Sequence, residues 1–267
     1  MKPKAYCRIR PQPHYRREAF VQGLAAAGWQ VEDNYPAGKP GPGDVLVIWN
    51  RYGEGEAAAD AWEKFGGRVF VAENGYVGLD GHGVQYYALS VSQHCGAGRM
   101  PTGDGSRWDR LGIALQPFRD GGSHLVIRGQ RGIGSRLMAS PQDWHRRLAA
   151  QLARTTQRPV KLLDHPGKPA CDPDVVDGLR KSFEKAHACL VWSSAAAIRA
   201  LIEGVPVFFD APHWICEGAA VKGMADLERP KRDDAARLAA LQRMAWGQWT
   251  IAEIAGGEPF VRLRELA

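Results

Sequence analysis

Short apolar runs alternate with longer amphipathic stretches along most of this chain. Residues 5–10 read as a first strand. Phe20, Val21, Leu24 and Ala27 then recur at helical spacing within 15–27, which ends at Gly28. A short strand at 29–31 and a Pro/Gly-rich loop at 36–43 lead into the apolar run DVLVIWNRY. A helix over 56–65 is stopped by Gly66 and Gly67, and RVFVAENGYVG supplies the next strand with its exit loop. Strand–helix alternation of this kind predicts a parallel sheet with right-handed crossovers. Residues 84–91 read as a further strand, whereas 92–110 is polar and Gly-rich, the character of a functional or mobile loop. The lobe boundary is expected near Pro117 to Gly122.

The alternation then resumes. Residues 123–128 form an apolar strand followed by RGQRGIG, and helices are expected over 141–155 and 179–186 with a strand at 160–163 between them. The segment ACLVWSSAAAIRALIEGVPVFFD, residues 188–210, compresses strand, paired serines, Ala-rich helix, Gly-x-Pro stop and second strand into one unit. Residues 233–245 form an amphipathic helix, which Trp246, Trp249, Ile251 and Ile254 are expected to continue as core or lobe-packing positions. The whole reads as an α/β protein of two Rossmann-like lobes with parallel sheets and a cleft between them. The lobes span 1–120 and 121–245, and a segment at 246–267 packs back on the first.

Composition narrows the setting. Hydrophobic residues make up 45% and charged residues 24%, enough to bury a proper core, and no apolar run approaches the length of a membrane span. The opening MKPKAYCRIRP lacks the apolar stretch of a signal peptide, and Cys7, Cys95, Cys171, Cys189 and Cys216 are odd in number and scattered. Both features predict free thiols in a reducing, cytoplasmic setting. The formal charge of +6 is unevenly placed: residues 123–168 hold nine Lys or Arg against only Asp143 and Asp164. Six cations (Lys2, Lys4, Arg8, Arg10, Arg16 and Arg17) precede the first acid, Glu18. Concentrated positive charge attracts phosphate, of a nucleotide or of a polynucleotide.

In open parallel sheets ligands bind beyond the carboxyl ends of the strands. That rule selects Asn50, Arg51 and Tyr52 after one strand and Glu73, Asn74, Gly75 and Tyr76 after the next. In the second half it selects Arg128, Gly129, Arg131 and Gly132, whose glycines let N–H groups converge on an anion that the arginines also hold. It further selects His165 and Lys168 of DHPGK, and Ser193 and Ser194 at a helix N-terminus, where backbone donors favour an anion. The glycine spacing is neither a dinucleotide fingerprint nor a Walker A loop. No G-x-S-x-G elbow surrounds the serines, and His94, Cys95, His213 and Cys216 match no compact zinc spacing, so no metal or resident cofactor is expected.

The Gly/Arg loop, the His-Pro strand end and the SSAAAIRALIEGVPV segment together resemble the donor lobe of GT-B nucleotide-sugar glycosyltransferases. The resemblance is to transferases of the capsule-polysaccharide, teichoic-acid and sialic-acid type, and covers about residues 123–210. It implies a UDP- or CDP-type nucleotide-sugar co-substrate whose diphosphate faces Arg128, Gly129, Arg131, Gly132, His165, Lys168, Ser193 and Ser194, in a metal-independent transfer. Glu203 and Asp210 are candidates to hold the donor ribose. A catalytic base is expected from the first lobe, Glu73 ahead of His94, with His165 stabilising the leaving group. For the acceptor, the basic surplus and small size favour a hydroxymethylated base in duplex phage DNA, reached by base flipping. A cell-surface glycan is the alternative acceptor, and a non-catalytic nucleotide- or nucleic-acid-binding role is the alternative function.

Overall fold

The computed structural model describes residues 2–94 and 96–266; Cys95 lies outside them. The first lobe runs β1 (Lys4–Arg8), α1 (Arg17–Ala26), β2 (Gln30–Glu32), β3 (Val45–Trp49), α2 (Glu54–Glu63), β4 (Arg68–Leu79), β5 (Gln85–Val91) and the short α3 (Ser106–Asp109). The second runs β6 (His124–Arg128), α4 (Trp144–Thr155), β7 (Val160–Leu163), α5 (Pro173–Phe183), β8 (Ala186–Val191), α6 (Ala196–Ile202), β9 (Val207–Phe209), β10 (Val221–Lys222) and α7 (Asp234–Ala245). Then come β11 (Gln248–Trp249), α8 (Ile251–Gly256) and α9 (Glu258–Leu266).

The described residues form two sheets, ordered β11-β5-β4-β3-β1-β2 and β10-β9-β8-β6-β7. The second is parallel throughout. The first is parallel from β2 to β4, with β5 and β11 added antiparallel. The fold is therefore α/β with two parallel-dominated sheets, as the alternation predicts. Val45, Leu46, Val47 and Ile48 are all buried, as are Leu125, Val126 and Ile127, because helices cover both faces of each sheet.

Three local expectations are corrected. Glu73 to Tyr76 lie inside β4 rather than in an exit loop, since β4 continues as a hairpin with β5. Gly75 permits this pairing: a Cβ there would lie 2.5 Å from the Tyr86 carbonyl oxygen on the facing strand. The helix expected from Leu179 begins earlier, at Pro173, because the Asp172 side chain accepts the N–H groups of Asp174 and Val175 and caps it; it stops at Phe183 so that Ala186 can start β8. Finally, α7 ends at Ala245 instead of running through Trp249. Gln248 and Trp249 pair with Ala88 and Tyr87 of β5, and a capping box between Thr250 and Glu253 starts α8.

Trp246 and Trp249 are buried, the latter completely. Phe260 and Leu263 of α9 and Ile254 of α8 join Phe20 and Leu24 of α1 in one cluster on the first sheet. The α1–α8 approach is backbone to backbone: a Cβ on Gly23 would fall 1.7 Å from the Ile254 carbonyl oxygen. A second cluster joins the lobes. It contains Tyr76, Val77, Ala88 and Trp108 together with Ile198 and Leu201 of α6 and Leu241 and Met244 of α7.

Candidate functional site

Between the lobes lies a cavity of about 370 Å³. Asn50, Glu73, Asn74 and His94 line it from the first lobe, and Arg128, Arg131, His165, Lys168, Ser193 and Ser194 from the second. Two sheets facing each other with strand ends toward a common cleft produce this convergence from distant positions in the chain.

The second-lobe wall is built around Arg128, the last residue of β6. It is only 8% exposed, and burial lowers its pKa against smaller opposing influences from Cys189 and Asp164. Asp164 is engaged with His145 at 3.1 Å and Arg146 at 3.8 Å. Among the described residues neither Arg128 nor the exposed Arg131 has a carboxylate partner, and the buried Arg128 guanidinium in that state calls for an anion. His165 stands beside them. Burial, then Arg131 and Arg128, push its imidazole down to about 4, so the ring is neutral near pH 7. Its Nδ1 accepts the Gly167 N–H at 2.9 Å, which leaves the ring proton on Nε2 as a donor.

The paired serines divide their roles. Ser193 is buried; its N–H donates to Gln130 Oε1 at 2.7 Å and its Oγ accepts from Gln130 Nε2 at 3.4 Å. Ser194 Oγ accepts the Ala196 N–H at 3.3 Å, which leaves the hydroxyl proton able to donate into the cavity. Gln130 thus ties the Gly/Arg loop to the serine turn. Nothing in its sequence context marked it, because an amide carries no charge or spacing signature.

Several expected contributions change. The Gly129 N–H donates to the Leu163 carbonyl at 2.8 Å, so it is committed to the sheet, and neither Gly129 nor Gly132 lines the cavity. Gly132 instead supplies a turn at φ 69°. Lys168 reaches the rim, but its ammonium is held by Asp174 at 2.7 Å and Asp172 at 3.4 Å. Glu203 is bound to Arg199 at 2.6 Å and Arg180 at 3.1 Å, and Asp210 accepts from Trp144 Nε1 at 2.9 Å; neither lines the cavity. Arg51 is a buried structural cation, bonded to Asp60 at 2.5 Å and Glu63 at 2.7 Å, and Tyr52 is exposed outside the lining.

On the first-lobe wall the Tyr76 hydroxyl donates to Glu73 Oε1 at 2.9 Å. Gln248 fixes this part of β4: its Oε1 accepts the N–H groups of Tyr76 and Val77 at 2.9 and 3.2 Å, and its Nε2 donates to the Val77 carbonyl at 2.8 Å. His94 is 2% exposed with Nδ1 unbonded among the described residues, and burial lowers its pKa against the pull of Glu73. Of the basic N-terminal side chains none lines the cavity. Lys4 pairs with Glu32 at 3.3 Å, Arg17 with Asp33, and Arg8 donates to the Asp33 carbonyl. Among the described residues no three His, Cys, Asp or Glu side chains gather as a metal-binding group, and no helix is long and apolar enough to cross a membrane.

The same architecture occurs in two solved structures. One is "Thermosulfurimonas dismutans KpsC, beta Kdo 2,7 transferase", at 15% identity and a TM-score of 0.54, covering 91% of this chain and 90% of that one. The other is the "beta Kdo 2,4 transferase" of the same protein, at 12% identity and a TM-score of 0.56, covering 90% of each. The chain has a GT-B-like fold. No family model and no curated protein matches its sequence.

Proposed function

We propose that the protein is a glycosyltransferase that moves a sugar from a nucleotide-activated donor to an acceptor hydroxyl. The observation that carries this reading is the buried, carboxylate-free Arg128 at the cavity wall, flanked by Arg131, neutral His165 and the Ser194 hydroxyl. Together they form a seat for a diphosphate. The reaction breaks the bond between the anomeric carbon and the phosphate oxygen, leaving the bonding pair on that oxygen. Arg128 and Arg131 stabilise the charge that develops there, and His165 Nε2 and Ser194 Oγ donate to the phosphate oxygens. The acceptor oxygen forms the new bond as its proton passes to the Glu73 carboxylate, which the Tyr76 hydroxyl orients. Two guanidinium groups supply the countercharge for a UDP- or CDP-type leaving group within the chain itself.

The acceptor reading favoured here is a glycan rather than duplex DNA. Both structural neighbours are by title transferases of the sugar Kdo, and Lys4, Arg8 and Arg17 are occupied by first-lobe acids or carbonyls. The test is a panel of UDP-, CDP- and CMP-sugars, activated Kdo included, scored by nucleotide release and by thermal shift. A nucleotide that raises the melting temperature in the wild type, but not in Ser194→Ala/Arg131→Ala, supports the seat. An unchanged shift in the double variant moves the phosphate site elsewhere. A 5-hydroxymethylcytosine duplex belongs in the acceptor panel: transfer to it would reinstate DNA as the acceptor.

A further inference from the structure

The cavity is electrically two-sided. Its described second-lobe lining carries Arg128 and Arg131, with Lys168 held by Asp172 and Asp174, and no carboxylate, whereas its described first-lobe lining carries Glu73 and no Lys or Arg. The nearby Arg51 does not alter that side, since Asp60, Glu63 and the Ser92 carbonyl hold its guanidinium. What the first lobe offers besides Glu73 is hydrogen-bonding capacity, chiefly from amides. Asn50 follows β3 with φ 52°, Asn74 and Gln85 lie on the two strands of the β4–β5 hairpin, and His14 enters from the 3-10 turn before α1. Gln85 Nε2 donates to Asn74 Oδ1 at 3.2 Å, and the Cys171 thiol donates to Gln85 Oε1 at 3.6 Å from the other lobe. That linkage fixes both amides and leaves the Asn74 NH₂ as a donor. The His14 ring lies against Tyr15 at 3.9 Å, and Tyr15 against Trp49 at 4.8 Å, which gives this wall a stiff aromatic backing.

We infer that the first-lobe half of the cavity is an acceptor subsite for an uncharged, hydroxyl-rich sugar terminus, and that it discriminates against a carboxylated or phosphorylated one. The inference rests on the transferase reading and specifies its acceptor. Amide side chains present donors and acceptors at fixed geometry, the pairing that sugar hydroxyls require, and they leave no cation to neutralise an anionic substituent. A negative group on the acceptor would instead approach the Glu73 carboxylate in a partly desolvated cleft, where like charges repel strongly.

The experiment uses the full chain and whichever donor it hydrolyses, with two acceptors alike except at C6: methyl β-D-galactopyranoside and methyl β-D-galacturonide. Transfer to the neutral glycoside is expected to exceed transfer to the uronide by ~10-fold or more in kcat/KM. Asn74→Ala and Asn50→Ala are expected to raise the KM for the neutral acceptor by ~5–10-fold, well beyond any change in the donor KM. Saturation-transfer NMR with the two glycosides and nucleotide supplies an activity-independent arm, in which Glu73→Gln should narrow the binding preference. Equal or reversed preference, or a Glu73→Gln protein with the gap unchanged, overturns the acceptor inference while donor hydrolysis keeps the transferase reading intact. A protein that neither binds nor hydrolyses any nucleotide sugar overturns both.

Discussion

Arg128→Met separates what the phosphate seat does for function from what it costs the fold. The guanidinium is 8% exposed, its charged form is disfavoured by burial, and no described carboxylate pairs with it. Methionine keeps the apolar stem in the last position of β6 while deleting the charge. Replacing buried charge by well-packed apolar volume is commonly neutral to stabilising, so the ligand-free variant should gain about 1 kcal/mol, or about 2–4 °C in a chain of this size. Nucleotide binding should move the opposite way. Two charge-assisted hydrogen bonds at about 1.5 kcal/mol or more each amount to ~10²-fold in affinity. At a nucleotide concentration about 100 times the wild-type Kd, the wild type gains about 2.7 kcal/mol from binding, and the variant only about 0.4 kcal/mol. Differential scanning calorimetry with and without UDP and CDP measures both quantities in one series. A variant that melts several degrees lower without ligand and still shows the full nucleotide shift would mean that Arg128 is a structural cation and the anion seat lies elsewhere.

His165→Ala should lower turnover by ~10²-fold with the melting temperature retained, the scale of losing one donor to a developing charge, as single-turnover kinetics would show. Because a bound diphosphate raises the pKa of an imidazole otherwise held at about 4, binding takes up protons; calorimetric affinity should therefore improve from about pH 7 to about pH 5 more in the wild type than in His165→Gln. Gln130→Ala should raise the donor KM by ~10-fold through a loosened Ser193 turn. Gln130→Glu, which keeps an acceptor for the Ser193 N–H but sets a carboxylate beside the phosphates, should be worse; the reverse order would discard the positioning role. Gly23→Ala must displace the Ile254 carbonyl, 1.7 Å from the new Cβ, and should destabilise by about 3 kcal/mol in urea titration; a neutral result would show that α8 docks loosely.

The elements that the hydrophobic pattern reveals are those whose burial is symmetric. β3, β6 and β8 are buried along their length because helices cover both their faces, and Asn50, Arg128 and Ser193 at or just past their ends reach the cavity as the strand-end rule expects, as does His165 after β7. The pattern misleads where pairing rather than periodicity decides. Glu73–Tyr76 read as a loop because a glycine and polar residues interrupt the apolar run, yet Gly75 is what lets β5 approach. The stretch after α7 carries tryptophans at helical spacing, but Gln248 is drawn into the sheet by β5 and into Tyr76 and Val77 by its amide. Gln130 and Gln248 act through distant partners, which no local window contains. Lys168 and Glu203 show the converse: the sequence displays the charge and hides the neighbour that neutralises it.

The apolar cluster shared by Tyr76, Val77, Ala88 and Trp108 with helices α6 and α7 bears on how such a protein can be recombined. A chimera cut at the chain crossing near residues 117–122 would sever a single packed interior rather than a linker, exposing both halves of it to water. Each half would carry an apolar face evolved against its old partner, and aggregation rather than altered specificity would be the outcome. A graft that transfers the second lobe together with its partners at 76–77, 88 and 108 keeps that interior whole. The unit of exchange in this molecule is therefore set by who packs with whom across the cleft, and not by where the chain passes from one sheet to the other.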